Sequence, residues 1–205
     1  MIDSQARYGF VTEIEADLID KLLDTLKTEF GEIRLLEIGV FSANTVRGVY
    51  RRAKEIDCPI RCTGIDFEQY RPNPTPDPDY IFHAGDSMDQ WREVKGKFNF
   101  LFVDGCHCVV HSSQDFLNYS PFVVEGGYIL LHDTALPTDI GKDKQEEWPQ
   151  DHSYAGKPPS VLGVREALKK LGLLDNRRTD FELIEEIESS SGLMGMMLYR
   201  RVLPY

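Results

Sequence analysis

Residues Ile33-Arg-Leu-Leu-Glu-Ile-Gly39-Val-Phe-Ser-Ala-Asn-Thr45 decide how this chain folds. A short apolar run ends on a glycine, and a polar turn then leads into Ala43 to Ile56, whose spacing reads as a helix. A buried strand that feeds directly into a helix is the opening unit of a parallel sheet, because parallel neighbours need a crossover between them.

The alternation continues outward from that unit. Upstream, Ile14, Leu18, Leu22, Leu26 and Phe30 recur at helical spacing through Glu13 to Glu29. Downstream, Arg61 to Asp66 is a second short strand. Prolines at 72, 74, 76 and 78 exclude a helix between Gln69 and Asp79. A strand is expected near Tyr80 to His83, a helical stretch around Met88 to Val94, and a central strand over Phe98 to Val103. Val109 to Tyr119 reads as a helix and Gly127 to His132 as another central strand. Thr134 to Pro159 is polar and without period, as lids and specificity loops are. Val161 to Leu171 is helical again, and Phe181 to Ile187 with Met194 to Val202 forms a closing antiparallel hairpin. The expectation is one α/β domain over residues 1–205, with an N-terminal helical extension over 1–31 and an inserted lid over 134–160. Its sheet is Rossmann-like, seven-stranded and mostly parallel, with one antiparallel strand from the C-terminal hairpin.

Bulk properties narrow the function. The formal net charge is −11, so a phosphate backbone is repelled and nucleic acid is not an expected partner. No apolar run is long enough to span a membrane, and Met1 to Thr12 lacks the pattern of a secretory signal. A cytoplasmic protein is expected, with a homodimer left open. The four cysteines fall as Cys58, Cys62, Cys106 and Cys108. The two pairs make a zinc site only if their strand ends are neighbours, so reduced, partly buried thiols are the default.

Polar residues recur just beyond the strands, where ligands of such sheets bind. They are Gly39, Asp66, Gly85-Asp86-Ser87, Asp104 and His132-Asp133. The first turn runs from Glu37 through Gly39, Phe41 and Ser42 to Thr45 and keeps a single glycine at its head, whereas a dinucleotide turn wants three. A ligand without phosphates needs less room and still places a carboxylate on the N–H groups that open a helix. S-adenosylmethionine has that chemistry. Asp66 is placed to accept from its ribose hydroxyls, and Asp86 with Ser87 to address the adenine. Each has a plainer role available: Asp66 as a turn former, Asp86 as a helix cap, Glu37 as a helix-facing charge.

The stretch Phe100-Leu-Phe-Val-Asp104-Gly105-Cys-His107, then Asp115, Pro121, Gly126-Gly127 and Ile129-Leu-Leu-His132-Asp133, resembles a family of small class I methyltransferases (methyltransferase family 24). Its members include macrocin O-methyltransferase-like tailoring enzymes and proteins called cephalosporin hydroxylases. Gly163-Val-Arg-Glu-Ala167 and the closing hairpin fit the same pattern, and the resemblance runs roughly from Leu35 to Arg200. This sequence departs from it at Ala43, where the family has a second glycine, and at Cys108-Val109, where it has an aromatic.

The resemblance, extended to the more distant catechol O-methyltransferase, implies a divalent metal, magnesium or manganese, held by Asp104, His132 and Asp133. It implies His107 as general base, and a small hydroxylated acceptor such as a sugar or natural product. That chemistry is coherent. A neutral hydroxyl is a poor nucleophile, a metal lowers its pKa, and an imidazole near neutrality takes the proton. His111 reads as a surface histidine and Asp115 as a residue satisfied by its neighbours. Two rivals stand beside this reading: a metal-dependent hydroxylase using two histidines and a carboxylate, and a binding module that keeps the fold without catalysis.

Overall fold

The computed structural model describes residues 7–135, 163–175, 177–188 and 195–203. The expected lid over 134–160 and the tip of the closing hairpin lie almost wholly outside these residues.

The first long helix, α1 (Glu13–Phe30), begins where Thr12 and Glu15 cap each other's backbone and ends on Gly31 in the left-handed region. Its buried face is Leu18, Ile19, Leu22, Leu23 and Leu26. Ile14, expected on that face, is exposed instead, because Glu15 turns inward beside it. Strands β1 (Ile33–Ile38), β2 (Ile60–Asp66), β3 (Ile81–Ala84), β4 (Phe98–Val103) and β5 (Val123–His132) pair in parallel. Helix α2 (Asn44–Glu55) crosses from β1 to β2, α3 (Ser87–Gln90) from β3 to β4, and α4 (Val109–Tyr119) from β4 to β5. A further helix, α5 (Val164–Lys170), precedes the hairpin of β6 (Phe181–Glu188) and β7 (Gly195–Arg201).

The sheet order is β3-β2-β1-β4-β5-β7-β6, with β7 antiparallel to both neighbours. That is the seven-stranded, mostly parallel sheet with one antiparallel strand that the sequence leads one to expect. Apolar clusters cover both of its faces, one built on α1 and α2, the other on α4 and α5. The buried strands read as continuous apolar runs for that reason. Asn99 is the polar exception in β4. Its amide accepts from the Arg34 N–H at 2.7 Å and donates to the Glu32 carbonyl at 2.7 Å, satisfying backbone where β1 begins.

Two expected boundaries moved. Strand β5 starts at Val123, not Gly127, because Gly126 takes φ +78° and the register with β4 shifts between Phe98 and Phe100. The glycine pair is a bulge inside a strand and not a turn before one. Helix α3 is a single turn closed by Gln90, shorter than expected. Among the described residues, no helix is long and apolar enough to cross a membrane.

Chain order reverses between β1 and β4. At such a switch point the two following connections diverge and leave a crevice beyond the strand ends. Here Gly39 lies so close to the end of β4 that a Cβ on it would meet the Asp104 carbonyl oxygen at 2.1 Å. Its φ of +88° also excludes other residues.

Candidate active site

The crevice is a cavity of about 500 Å³ beyond the carboxyl ends of the parallel strands. Of the residues expected at the site, Gly39, Phe41, Ser42, Thr45, Asp66, Asp86, Ser87, Asp104, His107, His132 and Asp133 all line it. Glu37 does not. It is buried in β1, with Oε2 lacking any hydrogen-bond partner. Burial, reinforced by the charges of Asp104 and Asp66, pushes its carboxyl well above the ordinary range and favours the protonated form.

The turn after β1 is shaped by its own backbone. Phe41 and Ala43 both have positive φ, at 43° and 58°. Ala43 therefore sits in a conformation that glycine adopts without strain, at the position where the resembled family has one. Asp66 stabilises this turn from the end of β2. Its Oδ2 accepts from the Val40 and Phe41 N–H groups, each at 2.7 Å, and its Oδ1 from the Phe67 N–H at 2.7 Å. The carboxylate thus fixes the turn, and its role toward a ribose would be additional to this. Asp86 caps α3 by accepting from the Met88 N–H at 2.9 Å. The Thr45 hydroxyl donates to the Tyr8 carbonyl at 3.2 Å.

That last bond brings in residues the sequence reading passed over. Tyr8, Phe10 and Val11 form part of the cavity wall. Arg7 pairs with Asp17 at 2.8 Å and Asp20 at 2.7 Å on α1, which pins the leading segment across the mouth of the cleft. Phe41 stands between Phe10 and Tyr70, with ring centroids 5.9 and 5.3 Å away. Both Phe10 and Phe41 are more than half exposed, at 63% and 53%. These flat apolar surfaces suit a purine or an aromatic acceptor.

The ends of β4 and β5 are charged. His107 Nε2 lies 2.9 Å from Asp133 Oδ2 and 3.5 Å from Asp104 Oδ1. His132 Nδ1 lies 3.0 Å from Asp104 Oδ1, and its Nε2 is 3.7 Å from Glu15 Oε1. Glu15, also overlooked, is fully buried and accepts from the Gly195 N–H at 2.9 Å, tying α1 to β7 behind the site. The Thr-x-x-Glu signature at Thr12 marked that residue in the sequence.

Burial alone would push the His107 pKa down, but its hydrogen bonds to Asp104 and Asp133 raise it to about 10. The same contacts, with His132, hold both aspartates below the ordinary carboxylate range against the opposing effect of burial. Burial opposes the charged form of His132 as well, but Asp104, Asp133 and Glu15 raise its pKa. Asp133 carries this arrangement at a φ of 55°, a strained backbone for a non-glycine residue.

Among the described residues, Asp104, His107 and Asp133 present ligand atoms within 4.8 Å of one another. His132, expected in the ligand set, stands outside that group and braces Asp104. The gathered donors are two carboxylates and one imidazole, not the two imidazoles and one carboxylate of the hydroxylase alternative. A protonated imidazole held between two carboxylates also marks a place that suits a divalent cation.

Two other residues differ from expectation. His111 is not on the open surface. Its Nδ1 lies 3.1 Å from Cys108 Sγ, and it lines the cavity. Asp115 is fully buried, and burial raises its pKa to about 7 against the opposing effects of the Ser87 side chain and the His111 charge. The four cysteines form no disulfide. Cys58 precedes the start of β2 while Cys106 and Cys108 follow the end of β4, so the two pairs do not form one site.

This sheet order, with a cleft at its switch point and an acidic–imidazole cluster on one side, is the architecture of the class I methyltransferase fold. The sequence model of a family described as a methyltransferase domain matches residues 36–134, a little under half of the chain. Solved structures agree in fold. A Staphylococcus aureus protein assigned as a caffeoyl-CoA O-methyltransferase is 16% identical over 94% of this chain and 85% of its own, with a TM-score of 0.65. TomG, an O-methyltransferase from Streptomyces achromogenes involved in tomaymycin synthesis and solved with S-adenosylmethionine, is 19% identical over 91% and 80%, at 0.59. An O-methyltransferase family protein from Burkholderia thailandensis is 12% identical over 90% and 56%, at 0.58. No protein of curated function matches the chain.

Proposed function

We propose that this protein transfers a methyl group from S-adenosylmethionine to a hydroxyl of a small molecule in the cytoplasm, with a divalent cation of the magnesium or manganese type at Asp104 and Asp133. The observation that carries the reading is the single cavity that joins the turn held by Asp66 to the Asp104–His107–Asp133 cluster. A donor bound along the first places its methyl beside the second.

The reaction is an in-line displacement at carbon, in which an acceptor oxygen attacks the methyl as the sulfur departs. The chain's own contribution begins with orientation, since holding two reactants in line removes much of the entropic barrier. The backbone N–H groups at the start of α2 would hold the cofactor carboxylate, and Phe41 and Tyr70 offer stacking faces. The acceptor hydroxyl must also lose a proton. A cation at the two carboxylates would supply Lewis-acid polarisation of the acceptor oxygen. His107 holds its own proton at neutral pH because Asp104 and Asp133 surround it. A cation neutralising their charge would let its pKa fall toward the ordinary histidine value, so that the ring would release its proton to solvent and, neutral, could then accept the hydroxyl proton. The net charge of −11 accords with an uncharged or cationic acceptor and not a polyanion.

The test is methyl transfer from isotopically labelled S-adenosylmethionine to a panel of phenols, sugars and hydroxylated natural products, with magnesium or manganese and again with a chelator. Transfer to an oxygen, diminished by the chelator, is the expected result. Binding of S-adenosylhomocysteine without transfer to any acceptor would favour the inactive module. Transfer unaffected by chelation would remove the cation from the account.

A further inference from the structure

The turn from β4 into α4 carries a second cluster that the methyl-transfer reading leaves unused. Cys106 Sγ, Cys108 Sγ and a ring nitrogen of His111 lie within 4.8 Å of one another. Zinc bonds are about 2.3 Å to sulfur and 2.0–2.1 Å to nitrogen, so tetrahedral ligand atoms stand roughly 3.5–3.8 Å apart. The cluster is already near that spacing, with Cys108 Sγ 3.1 Å from His111 Nδ1.

The spacing follows from the local chain. Cys106 and Cys108 flank His107 in an extended turn. Cys108 is the N-cap of α4, and His111 comes from the first turn of that helix. The turn is fixed by the Ser112 hydroxyl donating to the Cys106 carbonyl at 3.1 Å and by the Gly163 N–H donating to the His107 carbonyl at 2.9 Å. Ligands held this way require little reorganisation to meet an ion.

Two neighbouring carboxylates point to the same occupant. His111 Nε2 faces Asp86 Oδ1 at 3.9 Å, the kind of outer partner that orients an imidazole ligand through its far nitrogen. Asp115, one helical turn beyond His111, is fully buried beside the Ser87 side chain and the His111 imidazole. It lies beneath the same turn, since a Cβ on Gly105 would stand 3.5 Å from its Oδ2. A cation held above it would favour its charged form.

The geometry points to Cys106, Cys108 and His111 as a site for a borderline-soft divalent cation of the zinc class, with Asp115 as counter-charge beneath it. On binding, both thiols give their protons to solvent and bind as thiolates. Cys106 and His111 line the same cavity as His107. The ion would therefore border the cleft, and three protein ligands would leave its fourth position open, as in catalytic and not structural zinc. Its sulfur donors separate it from the oxygen-rich Asp104–Asp133 pair, which suits harder cations.

Cobalt(II) added to the reduced, metal-stripped protein tests this. One equivalent is expected to give a thiolate-to-cobalt charge-transfer band with the intense visible bands of tetrahedral cobalt, both removed by zinc. The bands should vanish in C106S/C108S and persist in C58S/C62S and in D104N/D133N. Should C106S/C108S fail to fold, H111Q provides the reading, with cobalt affinity lowered at least about tenfold. A wild-type titration without the charge-transfer band would overturn the proposal. So would a band that survives in C106S/C108S, or cobalt affinity unchanged in H111Q. The readout is independent of methyl transfer, so either idea can fail alone.

Discussion

The two halves of the cleft use their acidic residues in opposite ways. Beyond β1, β2 and β3, Asp66 and Asp86 accept hydrogen bonds from backbone N–H groups and give the pocket its shape. Beyond β4 and β5, Asp104 and Asp133 face imidazoles and carry the charge of the site. The donor side is thus built from shaped backbone, which suits a ligand recognised by outline and a few polar ends. The acceptor side is built from side chains whose proton affinities depend on one another. A change on the first side should cost binding, and one on the second should cost chemistry.

The largest break expected is on the charged side. His107→Gln should slow methyl transfer by about 10²–10⁴-fold while moving S-adenosylhomocysteine affinity by no more than about threefold, as single-turnover assays and calorimetry would show. Equal losses in both would erase the division of labour. Gly39→Ala attacks the seam between the halves, where a Cβ has no room beside Asp104. It should cost about 3 kcal/mol, seen as a melting point lower by roughly 10 °C, and should weaken cofactor binding and transfer together.

A smaller effect is expected from Asp66→Asn, which removes a charged acceptor from three backbone donors. Cofactor affinity should drop about ten- to a hundredfold, with the transfer rate at saturation little changed. The smallest concerns Glu37. Its raised pKa means the folded chain keeps a proton that the unfolded chain loses above the ordinary glutamate range, so stability falls as pH rises through that interval. Glu37→Gln mimics the protonated form and does not titrate. It should melt about 2–4 °C higher than the wild type at pH 8, about 1 kcal/mol, with the gain shrinking toward pH 5. A gain independent of pH would contradict the assignment.

How much of this was legible in the sequence depended on the range of the interaction. Strand ends and their polar residues were readable because burial on both faces writes each central strand as an unbroken apolar run, as at Phe98 to Val103. The bulge at Gly126 was not, since a glycine pair looks the same before a strand as within one. Glu15, Tyr8 and Phe10 reach the site only through packing between α1, the leading segment and the sheet, which no local pattern encodes. His111 and Asp115 were misjudged because their surroundings depend on how the turn at Cys106 folds back over α4. His132 lines the cleft as expected, but its Nε2 is turned toward Glu15, nearly 120 positions away along the chain, a contact no local pattern encodes.

Titrating S-adenosylhomocysteine into the purified wild-type protein by calorimetry tests the central claim most directly, because a cleft shaped for the donor must take its demethylated product. One molecule bound per chain, lost or much weakened in Asp66→Asn, is the predicted result. A folded, thermally stable protein that releases no binding heat and shows no shift in melting temperature with the ligand would contradict it.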